Sequence, residues 1–365
     1  MLEVQAPGLL STVQDLGRPG LRHLGVAVGG AADRAAFRIG NRLVGNPDDA
    51  AGLEFTLTGA SLRLTQPRLV AITGAEMEAS IDGQPLPRWR PLACAAGCEI
   101  RFGRALRGAR AYLAVGGGVD VPRMLGSRAT DLGSGFGGLR GRALAAGDRL
   151  PLGRPSPHHG RALWRGLDRA GTAWRAAPWW VGPSDDLRGE MALLHLLPGE
   201  DIALLDPRVL RVLRDGVWTV GADSDRMGLR FDGPDLPRAD GLERVSSPVV
   251  PGTIQMPPDG RPIVLGVDAQ TVGGYPCVGH VIRTDLGRTM QLKPGERVRG
   301  VLVTPEAARS IRLARARDEV RMAMAIAARL AEPCAGPCAR PSTSIATSAS
   351  PTARGAWART QPCCP

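Results

Sequence analysis

Lysine is nearly absent. Lys293 is the only one in 365 residues, and arginine carries the rest of the basic charge behind a formal net charge of +11. A Walker-type phosphate loop needs a Gly-Lys-Ser/Thr run, and none exists. Lys293 sits in Gln291-Leu292-Lys293-Pro294-Gly295, a turn-forming context, and reads as a solvated turn residue, which also removes a Schiff-base lysine. Aromatics make up 4% of the chain, and the arginines are scattered without aromatics between them. The positive charge therefore reads as a compositional bias and not as a nucleic-acid surface. No run approaches the roughly 18 apolar residues needed to cross a bilayer. The start, MLEVQAPGLLSTVQDLG, has neither a basic region nor a long apolar run. It is not read as a signal peptide, and a cytoplasmic location is expected.

Histidine is also scarce, at five residues, and no Gly-x-Ser-x-Gly elbow occurs. Serine–histidine hydrolysis thus has few candidates. His158-His159 lies in an irregular stretch without a nearby carboxylate and reads as a surface pair, whereas His23 and His280 stand in motif-like surroundings. Cys94 and Cys98 have no second ligand pair close by, and four of the seven cysteines (Cys334, Cys338, Cys363 and Cys364) fall near the C-terminus. Reduced thiols are expected, and no metal ligands are assigned.

Glycine and proline are abundant, at 48 and 31 residues, which favours many tight turns between short strands. Strands are expected at 60–64, 69–73, 99–102, 111–115 and 149–152, with a basic turn after 102 and a hairpin at Asp82-Gly83. A helix is expected at 32–43, with Asp33 in its first turn and Gly45 beyond its end. Residues 1–155 form a β-rich half, 156–185 an irregular connection, and 186–304 a second β-rich half with a short helix from 206 to 213. In that half, strands are expected at 216–220, 262–267, 280–284 and 297–303. Thr304-Pro305-Glu306 then opens a helix over 305–331, with a capping hydroxyl, an early proline and an acid against the dipole. Residues 332–365 are rich in Pro, Ser, Ala and Thr and are expected to be disordered.

Three glycine-bearing polar blocks on expected loops are the candidate site, because loops on a rigid scaffold carry most binding chemistry. The first runs from Val13-Gln14-Asp15 through Arg18 to Asp33. The second runs from Leu125-Gly126-Ser127-Arg128 to Gly138. The third joins Ser224-Asp225-Arg226, Pro251–Gln255 and Asp268–Pro276. Gly133-Ser-Gly135-Phe-Gly-Gly138 has dinucleotide-fingerprint spacing without a strand–turn–helix context, so an amide nest for an anion is the better expectation.

These blocks, with GGAADRAAFRIGNRLVGN, LEFTLTGASL, RAYLAVGGGVDVPRMLGSRATDLGSGFGGLRGR and PVVPGTIQMPPDGRPIVLGVDAQTVGGYP, follow in family order from about residue 3 to 303. The chain resembles the allophanate hydrolase subunit 2 family, biotin-dependent carboxyltransferase-like proteins. That family includes the C subunit of prokaryotic 5-oxoprolinase, the sporulation regulator KipA and a part of urea carboxylase. The resemblance implies a mainly β fold of cyclophilin-like barrels with a few short helices. It also implies ATP-driven opening of 5-oxo-L-proline to L-glutamate, together with A and B subunits. The alternatives it carries are a urea- or allophanate-linked enzyme subunit and a non-catalytic regulator of a kinase inhibitor. Three positions depart from the family pattern: Ser247, where glutamate is usual, Ala269, where a basic residue is usual, and Cys277, near which a basic residue is usual.

Such a reaction needs donors for oxyanions, and the planar arginine fork suits them. Asp15, Asp225 and Arg226 are the expected catalytic residues. Arg18, Arg128, Gln255, Gln270, Thr271 and Tyr275 are expected to bind substrate or phosphate. Magnesium accompanying ATP would lie on Asp15 or Asp225.

Overall fold

Two long antiparallel strands, Arg68–Ile81 and Glu99–Val115, organise the N-terminal half of the computed structural model. The structure describes residues 1–156, 160, 163–165, 167, 171–182, 191–234, 236–237 and 245–331. His158-His159, part of the expected connection and residues 332–365 lie outside the described residues. The end of the 99–115 strand is apolar at every position because both of its faces are covered. Ala111, Leu113 and Val115 enter one core with Leu53, Phe55, Val70 and Ile72. Tyr112 and Ala114 point the other way, against Phe37, Ile39 and Leu43 of the helix Arg34–Leu43. Alternation along a strand produces this division.

The same long strand corrects one expectation. The basic stretch after Phe102 is not a turn but strand, paired with 76–81 through register shifts between Gly74 and Ala79. Arg104, Leu106 and Arg107 are exposed, and the shifts bend the pair. The expected hairpin forms at Asp82-Gly83, where both residues adopt positive φ (52° and 76°) and Ile81 faces Gln84. The connection 156–185 contains the strand Trp174–Ala176, which pairs with Leu92–Cys94 at the edge of this ten-stranded sheet.

The C-terminal half contains a closed barrel. Its strands, in order around the barrel, are Met191–Pro198, Cys277–Val281, Thr253–Gln255, Ile263–Leu265, Gly228–Asp232, Val217–Val220 and Arg297–Leu302. The first and last pair in parallel, Met191 facing Arg297 and Leu196 facing Leu302, and close the ring. Leu194, Trp218, Phe231, Ile254, Val264 and Val298 fill the interior, with Val209 and Leu213 of the helix Arg208–Asp215 packed against them. The strand expected over 280–284 instead ends at Val281, and Arg283–Asp285 forms a single 3-10 turn. The C-terminal helix spans Pro305–Ala331, opened by the Thr304 hydroxyl accepting from the Ala307 amide at 3.2 Å. It returns Met322, Ile326 and Leu330 to the N-terminal half. Among the described residues, no helix is long and apolar enough to cross a membrane.

The halves are joined by polar groups that neither can satisfy alone. The buried Gln291 side-chain carbonyl accepts from the Ala109 and Arg110 amides at 3.1 and 2.9 Å. Its amide donates to Asp33 Oδ2 at 3.0 Å and to the Arg110 carbonyl at 2.9 Å. Asp33 in turn caps its helix through the Ala36 amide at 3.1 Å. Leaving a buried group unpartnered costs about 1–3 kcal/mol. Gln291→Ala is therefore expected to lose at least about 2 kcal/mol in urea unfolding followed by tryptophan fluorescence, while Gln66→Ala, on an exposed turn, keeps the wild-type midpoint. Equal midpoints for all three proteins would refute the joint.

Candidate functional site

The first polar block crosses from the N-terminal sheet to the barrel, and the other two blocks close on it from either side. Asp15 fastens the second block. Its carboxylate accepts from the Ser127 hydroxyl at 2.6 Å, the Arg128 amide at 2.6 Å and the Gly17 amide at 2.7 Å. Arg22 reaches the third block, donating to the Val249 carbonyl and to the Gln270 carbonyl. The Gly29 amide donates to the Val267 carbonyl at 3.0 Å.

At the centre lies Arg226, 5% exposed. Its Nε and Nη2 grip Asp268 at 2.7 and 3.0 Å, Nη2 also donates to the Gly30 carbonyl at 2.7 Å, and Nη1 pairs with Glu54. Glu54, on the strand Gly52–Thr56, is 1% exposed and also accepts from the Ala32 amide at 2.9 Å. Burial works against the Arg226 charge, but Glu54 and Asp268 outweigh it and hold the guanidinium protonated well above its ordinary range. Arg110 lies 3.9 Å from Glu54 and donates to the Met290 carbonyl. Arg226 is thus fully engaged within the protein. It orders the site and has no fork left for an external oxyanion.

Arg18 is the opposite case. It is 2% exposed, lies 4.7 Å over the Phe136 ring, and donates once, to the Ala129 carbonyl at 2.6 Å. Its Nε and Nη1 have no hydrogen-bond partner among the described residues. A methyl group built on Gly29 would lie 3.4 Å from Arg18 Nη1 and 3.6 Å from Asp268 Oδ1, so Gly29 marks the space between the two side chains. Burial lowers the Arg18 pKa from its ordinary value, while Asp131, Asp15 and Asp268 oppose the shift. Buried donors without partners are uncommon and costly, and such a group in a convergence of loops is suited to receive an acceptor from outside.

The side chains of the remaining expected residues make other contacts. The Arg128 side chain turns away, donating to the Val121 carbonyl and to Asp120, both at 2.8 Å. Asp225 is exposed and accepts from the Met227 and Gly228 amides at 2.7 and 3.1 Å, forming a turn. Asp15 accepts protein donors on both of its carboxylate oxygens, whereas Asp225 accepts them on Oδ1 alone. Gln255 is buried at the barrel end, with its amide 3.5 Å from the Tyr275 carbonyl, while Gln270 and Tyr275 are exposed and Thr271 is half-buried. The Gly133–Gly138 segment is a closed turn, with the Gly138 amide bound to the Arg128 carbonyl at 3.1 Å. Of the departures from the family pattern, Ala269 is fully buried beside Val249 and Leu265. Sequence reasoning gave no site role to Glu54, Arg110 or Gln291, and named Asp268 only as part of the third block. A lone acid inside the apolar strand LEFTL was the one available signal for Glu54.

Residues 24–301 match the family model described as the carboxyltransferase domain, subdomains A and B. The 5-oxoprolinase C subunit of Escherichia coli is 37% identical over 309 residues, covering 84% of this chain and 93% of that protein. The protein of the same name from Haemophilus influenzae is 34% identical over 302 residues, covering 83% and 91%. Urea amidolyase of Saccharomyces cerevisiae is 29% identical over 326 residues, which is 85% of this chain but 17% of that larger protein. Among solved structures, the K. lactis urea amidolyase superposes with a TM-score of 0.78 at 26% identity, covering 88% of this chain and 20% of that one.

Removing one partner of a buried ion pair typically costs about 3–5 kcal/mol. Arg226→Met strands Glu54 and Asp268 and is expected to fall in that range by thermal unfolding, whereas Asp225→Ala loses about 1 kcal/mol with its turn. Comparable losses would mean that Arg226 does no more than a surface turn residue.

Proposed function

The chain belongs to the carboxyltransferase-domain family, subdomains A and B, and from that premise we propose that it is the C subunit of an ATP-dependent 5-oxoprolinase working with A and B subunits. The two bacterial relatives, matched over nearly their whole length, support the assignment. The structural observation that carries it is the buried Arg18 guanidinium, two of whose nitrogens have no hydrogen-bond partner among the described residues.

A lactam resists water, so its carbonyl must first be activated. In the proposed sequence the lactam oxygen takes the γ-phosphoryl group of ATP and ADP departs. Water adds to the activated carbon, the ring C–N bond breaks, and the freed amine takes a proton. A second water then cleaves the resulting acyl phosphate to give glutamate and phosphate. The substrate carboxylate or the developing oxyanion needs a donor that stays charged away from solvent, and Arg18 meets that need. Phe136 holds the guanidinium plane by a cation–π contact. Arg226 acts as a positioning residue, fixing Gly30 and Asp268 beside Gly29. No step is routed through a metal on this chain. Arg128, Gln270, Thr271 and Tyr275 are assigned, within the same proposal, to the rim that meets the partner subunits or the substrate, and the buried Gln255 to holding the Tyr275 loop from beneath.

The test is co-expression with the A and B subunits, followed by an assay of ATP-dependent glutamate release from 5-oxoproline. A charged hydrogen bond contributes about 1.5–3 kcal/mol, so Arg18→Met is expected to lower kcat/KM by roughly ten- to hundredfold in an intact complex. Arg18→Lys should recover part of that loss. A complex that leaves 5-oxoproline untouched but consumes urea would replace this reading with the amidolyase one, and unchanged kinetics in Arg18→Met would remove Arg18 from the site.

A further inference from the structure

On the barrel, Cys277, His280 and Glu200 bring three different donor atoms together. His280 Nε2 lies 3.0 Å from Glu200 Oε2 and 3.4 Å from Cys277 Sγ, and all three donor atoms lie within 4.8 Å of one another. We propose that these residues form a binding site for a zinc-class divalent transition ion, with the fourth coordination position open to solvent.

A break in strand register builds this arrangement. Residues three apart on a regular strand point to opposite faces. Here the pairing of Thr253–Gln255 with Cys277–Val281 carries a bulge: Thr253 faces His280 and Ile254 faces Gly279, but Gln255 faces Cys277. The extra residue, Val278, turns into the barrel core, and Cys277 and His280 emerge on one side. Glu200 is brought in by a loop pressed onto the same strand. The Gly199 amide donates to the Val278 carbonyl at 3.1 Å, and the Cys277 amide donates to Asp201 Oδ2 at 2.6 Å. Any side chain at 199 would collide with the Cys277 carbonyl, so this close approach requires glycine.

Two features favour an ion over a nucleophilic dyad. A Cys–His–Glu relay needs the thiol and the carboxylate on opposite ring nitrogens. Here both face Nε2, the pattern expected of donors around one centre. Tetrahedral zinc with bonds of about 2.0–2.3 Å places its ligand atoms about 3.3–3.6 Å apart, near the 3.0 and 3.4 Å found around His280 Nε2. The other ring nitrogen, Nδ1, lies 3.3 Å from the Thr253 hydroxyl, an outer contact of the kind that fixes ring orientation. Cys277 is buried, while Glu200 is 53% exposed and His280 29%, so ion and water approach from the Glu200 and His280 side.

The experiment titrates cobalt(II), then zinc(II), into the full chain with Cys334, Cys338, Cys363 and Cys364 changed to serine. One equivalent is expected to bind with a thiolate-to-cobalt charge-transfer band. Cys277→Ser should abolish the band, and Glu200→Gln, on an exposed loop, should weaken binding at least tenfold. Thr253→Val is expected to weaken zinc binding roughly ten- to hundredfold. Cys94→Ser/Cys98→Ser should leave the equivalent in place. Absence of stoichiometric binding, or an equivalent that survives Cys277→Ser or Glu200→Gln unchanged, would overturn the assignment.

Discussion

Everything in the molecule's middle depends on one guanidinium. Arg226 belongs to the barrel half, Glu54 to a strand of the N-terminal sheet, and Gly30 to the segment that passes between them. Burying a charge is prohibitive without partners and tolerable with a full set. Asp268 and Glu54 complete that set from two sides. The halves therefore meet in one relative placement, since the fork geometry of arginine admits little slippage. The loop holding Gly29 and Gly30 is fixed as a by-product, and with it the surroundings of Arg18.

Two buried arginines in neighbouring loops illustrate how the same side chain serves different ends. Arg226 spends its nitrogens inside the protein. Among the described residues Arg18 is held by a single carbonyl and an aromatic face, which leave two of its nitrogens uncommitted. A sequence presents both as arginine beside glycine-rich turns. Only the environment separates an anchoring cation from one able to accept a ligand.

The mainly β class was legible from turn residues and alternation, and the hairpin at Asp82-Gly83 followed from local preferences alone. The convergence of the three loops was legible as an idea, but not which side chains would face inward. Arg128 turns outward because Asp120 and the Val121 carbonyl hold it there. Glu54 was hidden because its partner lies 172 positions away, a separation that no local pattern encodes. The basic stretch after Phe102 read as a turn because its arginines are polar, although exposed arginines along a bent strand are equally polar. The grouping of Cys277 with His280 was illegible for a geometric reason, since regular strand alternation places them on opposite faces and only the bulge reunites them.

The parallel seam of the barrel bears on how the chain is made. Met191–Leu196 cannot find its parallel neighbour until Arg297–Leu302 has been synthesised, more than a hundred positions later. The earlier strand must wait on the ribosome with an unpaired edge, while the N-terminal sheet, whose long strands are near neighbours in sequence, can already assemble. Late closure of a non-local ring is slow and leaves apolar surface open to association. The interval between those two strands leaving the exit tunnel is therefore when the chain is most open to association, and slower elongation across it is expected to lengthen that exposure.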